Sequence, residues 1–254
     1  MYKIAIVNQK GGVAKTTTAI NLASEISRMG HKVLLIDLDA QFSATSSIFG
    51  NTEFGKTIYD VIVKKIDIKK TIQKASNFGF DVVTSDIMLS AADLLIIKEI
   101  AREKILLNQI RNLKYDMIIM DCPPSLGLVT VNALIACEAV LIPVCPEYFS
   151  LKGIKLLEQI LLDVEKMLLS KTLLKSVLIT RYRDRVVTRE AEQAIREYYG
   201  RKVFETVIPE NIKIEEAHNA HLPVYKYNKT CKGSIAYRNL SKEVLEWVDQ
   251  KSLR

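Results

Sequence analysis

Three short stretches of this sequence hold the residues best suited to chemistry. The first is Asn8-Gln9-Lys10-Gly11-Gly12-Val13-Ala14-Lys15-Thr16-Thr17-Thr18, with two glycines between two lysines and three threonines behind them. A glycine turn between a strand and a helix brings backbone N–H groups and the positive helix end to one point, where phosphate oxygens bind. In such a loop Lys15 reaches the terminal phosphates and Thr16 offers its hydroxyl to Mg²⁺. The second stretch, Val33-Leu34-Leu35-Ile36-Asp37-Leu38-Asp39-Ala40-Gln41, ends an apolar run with two acids one residue apart. An acid there can orient an attacking water or hold a metal ion through water. The third runs from Tyr115 to Gly127, where the apolar residues Met117–Met120 lead to Asp121. A carboxylate at the end of such a strand binds Mg²⁺ through its water shell. The two prolines and the glycine that follow make a stiff turn suited to sensing the terminal phosphate.

The elements that must position these groups follow from the apolar pattern. Ile4-Ala5-Ile6-Val7 reads as a strand entering the glycine loop, and Ile20, Ala23 and Ile26 recur at helical spacing after it. Further strands are expected at Lys32–Asp37, Asp81–Thr84, Asp116–Asp121, Ala139–Val144, Ser176–Thr180 and Val203–Val207, the first spanning Lys3–Asn8. Helices are expected from Lys15, Ala91, Leu128, Leu151 and Thr188, and from Ser234 to near Lys251. Strands alternating with helices almost to the end predict an α/β fold, a doubly wound, mostly parallel twisted sheet with helices on both faces. No linker divides the chain, so residues 1–254 read as one domain. Ligands of such sheets sit beyond the carboxyl ends of the strands, which places all three stretches around one crevice.

Of the 254 residues 48% are hydrophobic, enough for a large core, and the net charge of +7 favours a polyanionic partner. Charge alone does not choose between nucleic acid and an acidic membrane surface. Met1 runs straight into a strand, and no apolar run is long enough to span a bilayer, so a soluble cytoplasmic protein is expected. Cys122, Cys137, Cys145 and Cys231 show neither zinc nor redox spacing and read as small core residues. The lysines between Lys64 and Lys74 are spaced by isoleucines as an exposed amphipathic face would be. Beyond Thr180 positive charge is dense, though acids are interleaved. Arg201-Lys202 follows a glycine at a helix exit, and Lys229 and Lys232 lie in a loop before the last helix. Both groups suit sequence-independent contacts to a phosphate backbone.

The loop departs from the standard phosphate-loop pattern, which has glycine where Gln9 and Ala14 stand. With its second lysine, Lys10-Gly11-Gly12-Val13-Ala14-Lys15-Thr16-Thr17 resembles the deviant Walker A motif of the ParA/MinD family of ATPases. That family carries glycine at Ala14, and a positive φ there costs alanine about 1–2 kcal/mol. Asp37-Leu38-Asp39-Ala40-Gln41 resembles the family's Asp-x-Asp-Pro-Gln, with alanine in place of proline, and the resemblance gives Asp39 the role of positioning the hydrolytic water. It continues through Leu128–Leu134 and through Pro143–Gly153, where no chemistry is assigned. Val207-Ile208-Pro209-Glu210-Asn211 looks like the family's Ile-Pro-Arg-Asn segment lining the nucleotide base, which carries Pro209 and Asn211 over as adenine contacts. Glu210 reverses the charge of that arginine.

The resemblance is closest to the short ParA/Soj type. It implies an ATP- and Mg²⁺-dependent switch in plasmid or chromosome partition. In that picture the ATP-bound homodimer has Lys10 reaching the phosphates of the opposite subunit. The dimer binds double-stranded DNA non-specifically on the nucleoid through residues near Arg201, Lys202, Lys229 and Lys232, and a ParB-like partner stimulates hydrolysis. Two alternatives share the motifs: a MinD-like ATPase cycling on a membrane, and a DNA-binding relative in which Ala14, Ala40 and Glu210 have disabled turnover. The final helix, Leu240–Lys251, is acid-rich and reads as packed rather than membrane-seeking.

Overall fold

The computed structural model describes residues 1–50, 52–146, 158–159, 162, 166 and 174–249. Strands β1 (Tyr2–Ile6), β2 (Val33–Asp37), β3 (Ile72–Ala75), β4 (Phe80–Val83), β5 (Met117–Asp121), β6 (Ala139–Val144) and β7 (Leu174–Ile179) form one sheet. Their order is β3-β4-β2-β5-β1-β6-β7. Every pairing is parallel except β3 with β4. A parallel sheet has to be covered on both faces, so its strands are apolar throughout rather than alternating. β1 shows how: Ile4 and Ile6 pack on one side with helix α1 (Lys15–Arg28), while Ala5 and Val7 pack on the other.

Helices α2 (Ser43–Phe49), α3 (Ile58–Ile62), α4 (Ala92–Ile96), α5 (Ile105–Ile110) and α6 (Leu128–Ala136) follow in the first part of the chain. After β7 come α7 (Val186–Tyr199), α8 (Ile212–Asn219), α9 (Val224–Tyr227) and α10 (Lys232–Asp249). α10 lies against α1, burying Tyr237, Leu240, Val244 and Val248 in the same cluster as Ala19, Leu22, Ala23 and Ile26. Among the described residues, no helix is long and apolar enough to cross a membrane. Cys122, Cys137 and Cys145 are buried, and half-buried Cys231 accepts the N–H of Ser234 at 3.4 Å in the first turn of α10.

The register matters most for function. β2 and β5 are level at their carboxyl ends, pairing Asp37 with Asp121, and β1 is level with them through Ile6. The glycine loop and both acid-bearing turns therefore leave the sheet at the same height.

The structure corrects two expectations. Val203–Val207 is not a strand: only Val203 bridges to Val177 of β7. The backbone N–H groups of Glu205 and Thr206 donate instead to the Glu243 carboxylate of α10, at 2.5 and 3.0 Å, which interrupts the ladder between the Phe204 and Ile208 N–H groups that still reach Val177 and Ile179 of β7. β3 was not expected, because its exposed Lys74 and half-buried Ile72 and Gln73 lack the apolar run of the inner strands. A tight turn through Gly79, at φ 84°, folds it back onto β4. The lysines from Lys64 to Lys74 are exposed and Ile68 is buried, as spacing suggested. Of the helix expected from Leu151, only 158–159, 162 and 166 are described, and these are helical; its start, the stretch from Glu147 to Gly153 and Lys251 lie outside the described residues.

Glu243→Ala removes the carboxylate acceptor of two amides. Denaturant unfolding is expected to show a loss of about 1–3 kcal/mol, with faster amide exchange at Glu205 and Thr206. Unchanged exchange at those two amides would show that another group holds the segment.

Candidate functional site

A cleft of about 350 Å³ opens at the carboxyl ends of β1, β2 and β5. Gly11, Gly12, Ala14, Lys15, Thr16 and Thr17 form one wall. The loop is braced from behind: Asn8 accepts the Lys10 N–H at 3.0 Å and donates to the Pro143 carbonyl at 2.7 Å, and the Val13 carbonyl accepts the Thr180 hydroxyl at 3.0 Å. Gly12 and Ala14 both adopt positive φ, 74° and 63°. Ala14 precedes the first residue of α1, and no side chain caps that helix. The first-turn amides of a 14-residue helix therefore lack an internal acceptor and meet the cleft, an arrangement that binds anions. Alanine at the left-handed position costs about 1–2 kcal/mol relative to glycine.

Lys15 is only 7% exposed, and its ammonium donates to the Lys10 carbonyl at 3.1 Å. Burial lowers its pKa, while the nearby Asp121 and Asp39 pull it back up. Lys10 itself is exposed and does not line the cleft, and the side chain of Val13 is buried behind the loop.

The two strand-end acids have different surroundings. Asp37 accepts the N–H and hydroxyl of Thr45 at 2.9 and 2.8 Å and the N–H of Asp39 at 3.1 Å. Burial still raises its pKa to about 6. It ties the turn after β2 to α2. Asp121, 1% exposed, has no well-formed hydrogen bond to either carboxylate oxygen. Burial, and next the charge of Asp37, push its pKa to about 8, against the pull of Thr16 and Lys15. A buried carboxylate whose one near hydrogen-bonding group is a helix-borne hydroxyl forms with it a donor set for a hard, oxygen-seeking cation. Asp121 and Thr16 thus fit Mg²⁺. Asp39 is half-buried, lines the cleft and accepts the Gln41 N–H at 2.9 Å.

The far wall comes from the C-terminal part of the chain. Pro209 and Asn211 line it, and Asn211 also caps α8 by accepting the Lys213 N–H at 2.9 Å. Two neighbours went unread in the sequence, Arg181 and the partnership of Glu210. Arg181, at φ 51° just beyond β7, donates to the Gly12 carbonyl at 3.1 Å and approaches Glu210 at 3.5 Å. Glu210 also pairs with Arg183, whose Nη2 donates at 2.7 Å. The reversed charge at 210 is thus answered by two arginines, and Arg181 joins the phosphate-loop wall to the opposite wall. The signal available was its place one residue past a strand's carboxyl end. Ser43, His218 and Tyr237 also line the cleft without having been singled out.

The four basic residues proposed for DNA lie outside the cleft. Arg201 and Lys202 occupy a turn after α7, and Lys229 and Lys232 flank the start of α10. All four are exposed, and none has an ion-pair partner among the described residues.

A family model described as an AAA domain matches residues 1–176. The chain is 37% identical over 245 residues to the sporulation initiation inhibitor protein Soj of Bacillus subtilis, covering 95% of this chain and 97% of that one. It is 36% identical over 245 residues to the chromosome-partitioning ATPase Soj of Treponema pallidum, covering 95% and 96%. Among solved structures, cobyrinic acid a,c-diamide synthase from Mycobacterium smegmatis with bound ADP and magnesium superposes with a TM-score of 0.86 at 27% identity, covering 100% and 97%.

Two substitutions probe the wall and the acid. Ala14→Gly relieves the left-handed alanine but loosens the unfolded chain, so a net gain of about 0.5–1 kcal/mol is expected in denaturant unfolding; a loss would contradict the strain. In the metal-free chain the folded state holds the Asp121 proton up to about pH 8, while the unfolded state releases it near 3.8. Stability therefore falls as pH rises from about 4 to 8, and Asp37 adds a slope of the same sign. Asp121→Asn is expected to be more stable than wild type at pH 8, with the gap closing towards pH 4. Parallel profiles would contradict the shift.

Proposed function

Since this chain belongs to the Soj/ParA family of partition ATPases, we propose that it is an ATP-driven switch for plasmid or chromosome partition, with residues 1–254 acting as one ATPase unit. ATP is the substrate and Mg²⁺ its companion ion. The observation that carries the reading is the uncapped start of α1 facing a cleft lined by the buried Lys15, with the buried carboxylate of Asp121 close to Lys15 and the Thr16 hydroxyl. The loop amides and Lys15 hold the β- and γ-phosphates. Thr16, and Asp121 through water, hold the magnesium ion, which offsets charge on the phosphate oxygens. Asp39 orients the attacking water, and Pro209 and Asn211 bound the adenine. Lys10, exposed on the loop's outer side, suits a contact to the phosphates of a second copy across a face-to-face dimer.

In this reading the dimer binds duplex DNA non-specifically through Arg201, Lys202, Lys229 and Lys232, on the nucleoid, and a ParB-like partner stimulates hydrolysis. Basal turnover is slow, because the complete site forms only in the dimer. A MinD-like cycle on membranes is less favoured, since α10 spends its apolar face on α1 rather than presenting it. ATP-dependent liposome flotation without DNA retardation would select that alternative.

The reading is tested by ATPase assay with DNA and partner present. Wild type is expected to exceed Lys15→Ala, and equality would leave a non-hydrolysing DNA-binding relative. Asp39→Ala is expected to retain ATP-dependent dimers in light scattering while losing at least tenfold in turnover, whereas near-wild-type turnover removes Asp39 from the water. Lys10→Ala is expected to keep nucleotide affinity but lose the ATP-dependent dimer. Lys229→Glu with Lys232→Glu is expected to weaken ATP-dependent DNA binding and spare basal turnover, and undiminished binding at moderate salt would remove that patch.

A further inference from the structure

At the other end of the sheet, where β2 and β4 begin and just before β5, a second concavity of about 630 Å³ is lined by Lys32, Lys69, Lys74 and Lys114, with His31 beside them. The four lysines come from four segments held by the core: the entry to β2, the turn Ile68–Lys70, β3, and the loop before β5. Ile68, next to Lys69, is buried, and its N–H donates to Gln109 at 3.1 Å; Leu113, next to Lys114, is also buried. All four lysines are exposed, and none has an ion-pair partner among the described residues. Two carboxylates lie near. Asp81, opposite Lys74 across the hairpin, accepts the Tyr115 hydroxyl at 2.8 Å, and Asp116 accepts the Lys32 N–H at 2.7 Å. Both are already hydrogen-bonded, and cations outnumber them two to one.

Like charges converging on a concave surface raise its potential and concentrate anions there. The groove is not shaped for a fixed small anion, because none of the buried polar atoms without partners lies in it. Nor does it suit insertion into a bilayer, since none of the exposed large apolar side chains lines it. Exposed lysines on flexible stems instead suit a repeating line of phosphates, which they contact as point charges without reading bases.

We propose that this groove is a second surface for the phosphate backbone of duplex DNA, separate from Arg201, Lys202, Lys229 and Lys232. The nucleotide cleft is at the carboxyl ends of the strands and the groove at the ends where they begin. One consequence rests on the dimer reading above: two copies joined across their phosphate loops carry their grooves on faces turned away from each other. Such a dimer holds two DNA segments at once.

The test uses the full chain with Lys69→Gln, Lys74→Gln and Lys114→Gln together, its fold checked by unchanged nucleotide affinity. Binding of a random-sequence duplex is measured without nucleotide between 50 and 200 mM salt. Losing three phosphate contacts is expected to reduce the slope of log affinity against log salt by about 2.7, so that wild-type affinity falls roughly 40-fold more than the variant's over that range. Equal slopes, or no nucleotide-free binding by wild type, overturn the groove. In a second arm, bead-bound duplex captures a labelled duplex when ATP is present; wild type is expected to bridge and the triple variant not to. Bridging by the triple variant at the wild-type level also overturns the proposal. A slope change without bridging by wild type keeps the groove and tells against the face-to-face dimer.

Discussion

Two carboxylates end neighbouring strands at the same height, and the surroundings satisfy only one. β2 and β5 are in register, so Asp37 and Asp121 stand side by side at the top of a sheet buried on both faces. Thr45 supplies Asp37 with two hydrogen bonds, while both oxygens of Asp121 are left without a well-formed one. A buried charge with so little hydrogen bonding is expensive, and burial together with the charge of Asp37 pushes the Asp121 pKa up to about 8 despite Thr16 and Lys15. The nearby ammonium of Lys15 is itself disfavoured by burial. The cluster of Asp121, Lys15 and Thr16 is thus electrostatically incomplete, and a cation together with a polyanion would complete it.

The walls follow from the same constraint. Because the site lies beyond strand ends, its groups sit on turns, and each turn is braced by an element behind it. Asn8 and Thr180 hold the glycine loop, Thr45 holds the turn bearing Asp39, and Asn211 caps the helix after the opposite wall. Arg181 spans the gap between the two walls. The left-handed Ala14 stores strain at the point where the first-turn amides are aimed, and the bracing around it keeps it in place.

How much of this was legible in the sequence depended on whether the signal was local. The strand, loop and helix around Lys15 were readable because glycine spacing and apolar periodicity act over a few residues. The same holds for the strands ending at Asp37 and Asp121, which are continuous apolar runs. β3 was not readable, since a short edge strand is only partly covered and tolerates a half-buried Gln73 and an exposed Lys74 without penalty. Val203–Val207 has strand composition yet forms no continuous ladder, because Glu243, nearly forty residues away, takes two of its amides. The meaning of Glu210 was likewise hidden: a charge reversal gains sense only when Arg181 and Arg183 are seen around it. The basic groove is assembled from four separate segments, so that the lysines between Lys64 and Lys74 read only as an exposed face, and their convergence with Lys32 and Lys114 needed the fold.

With its pKa pushed up to about 8 by burial and the charge of Asp37, Asp121 is expected to hold its proton in the free chain and to give it up when the cleft is filled. Calorimetric titration with ATP and Mg²⁺ at pH 7, repeated in buffers of different ionisation enthalpy, counts protons exchanged on binding. Wild type should release about one proton more per chain than Asp121→Asn. Equal proton counts for the two chains would show that the carboxylate is already ionised before anything binds, and would contradict the account.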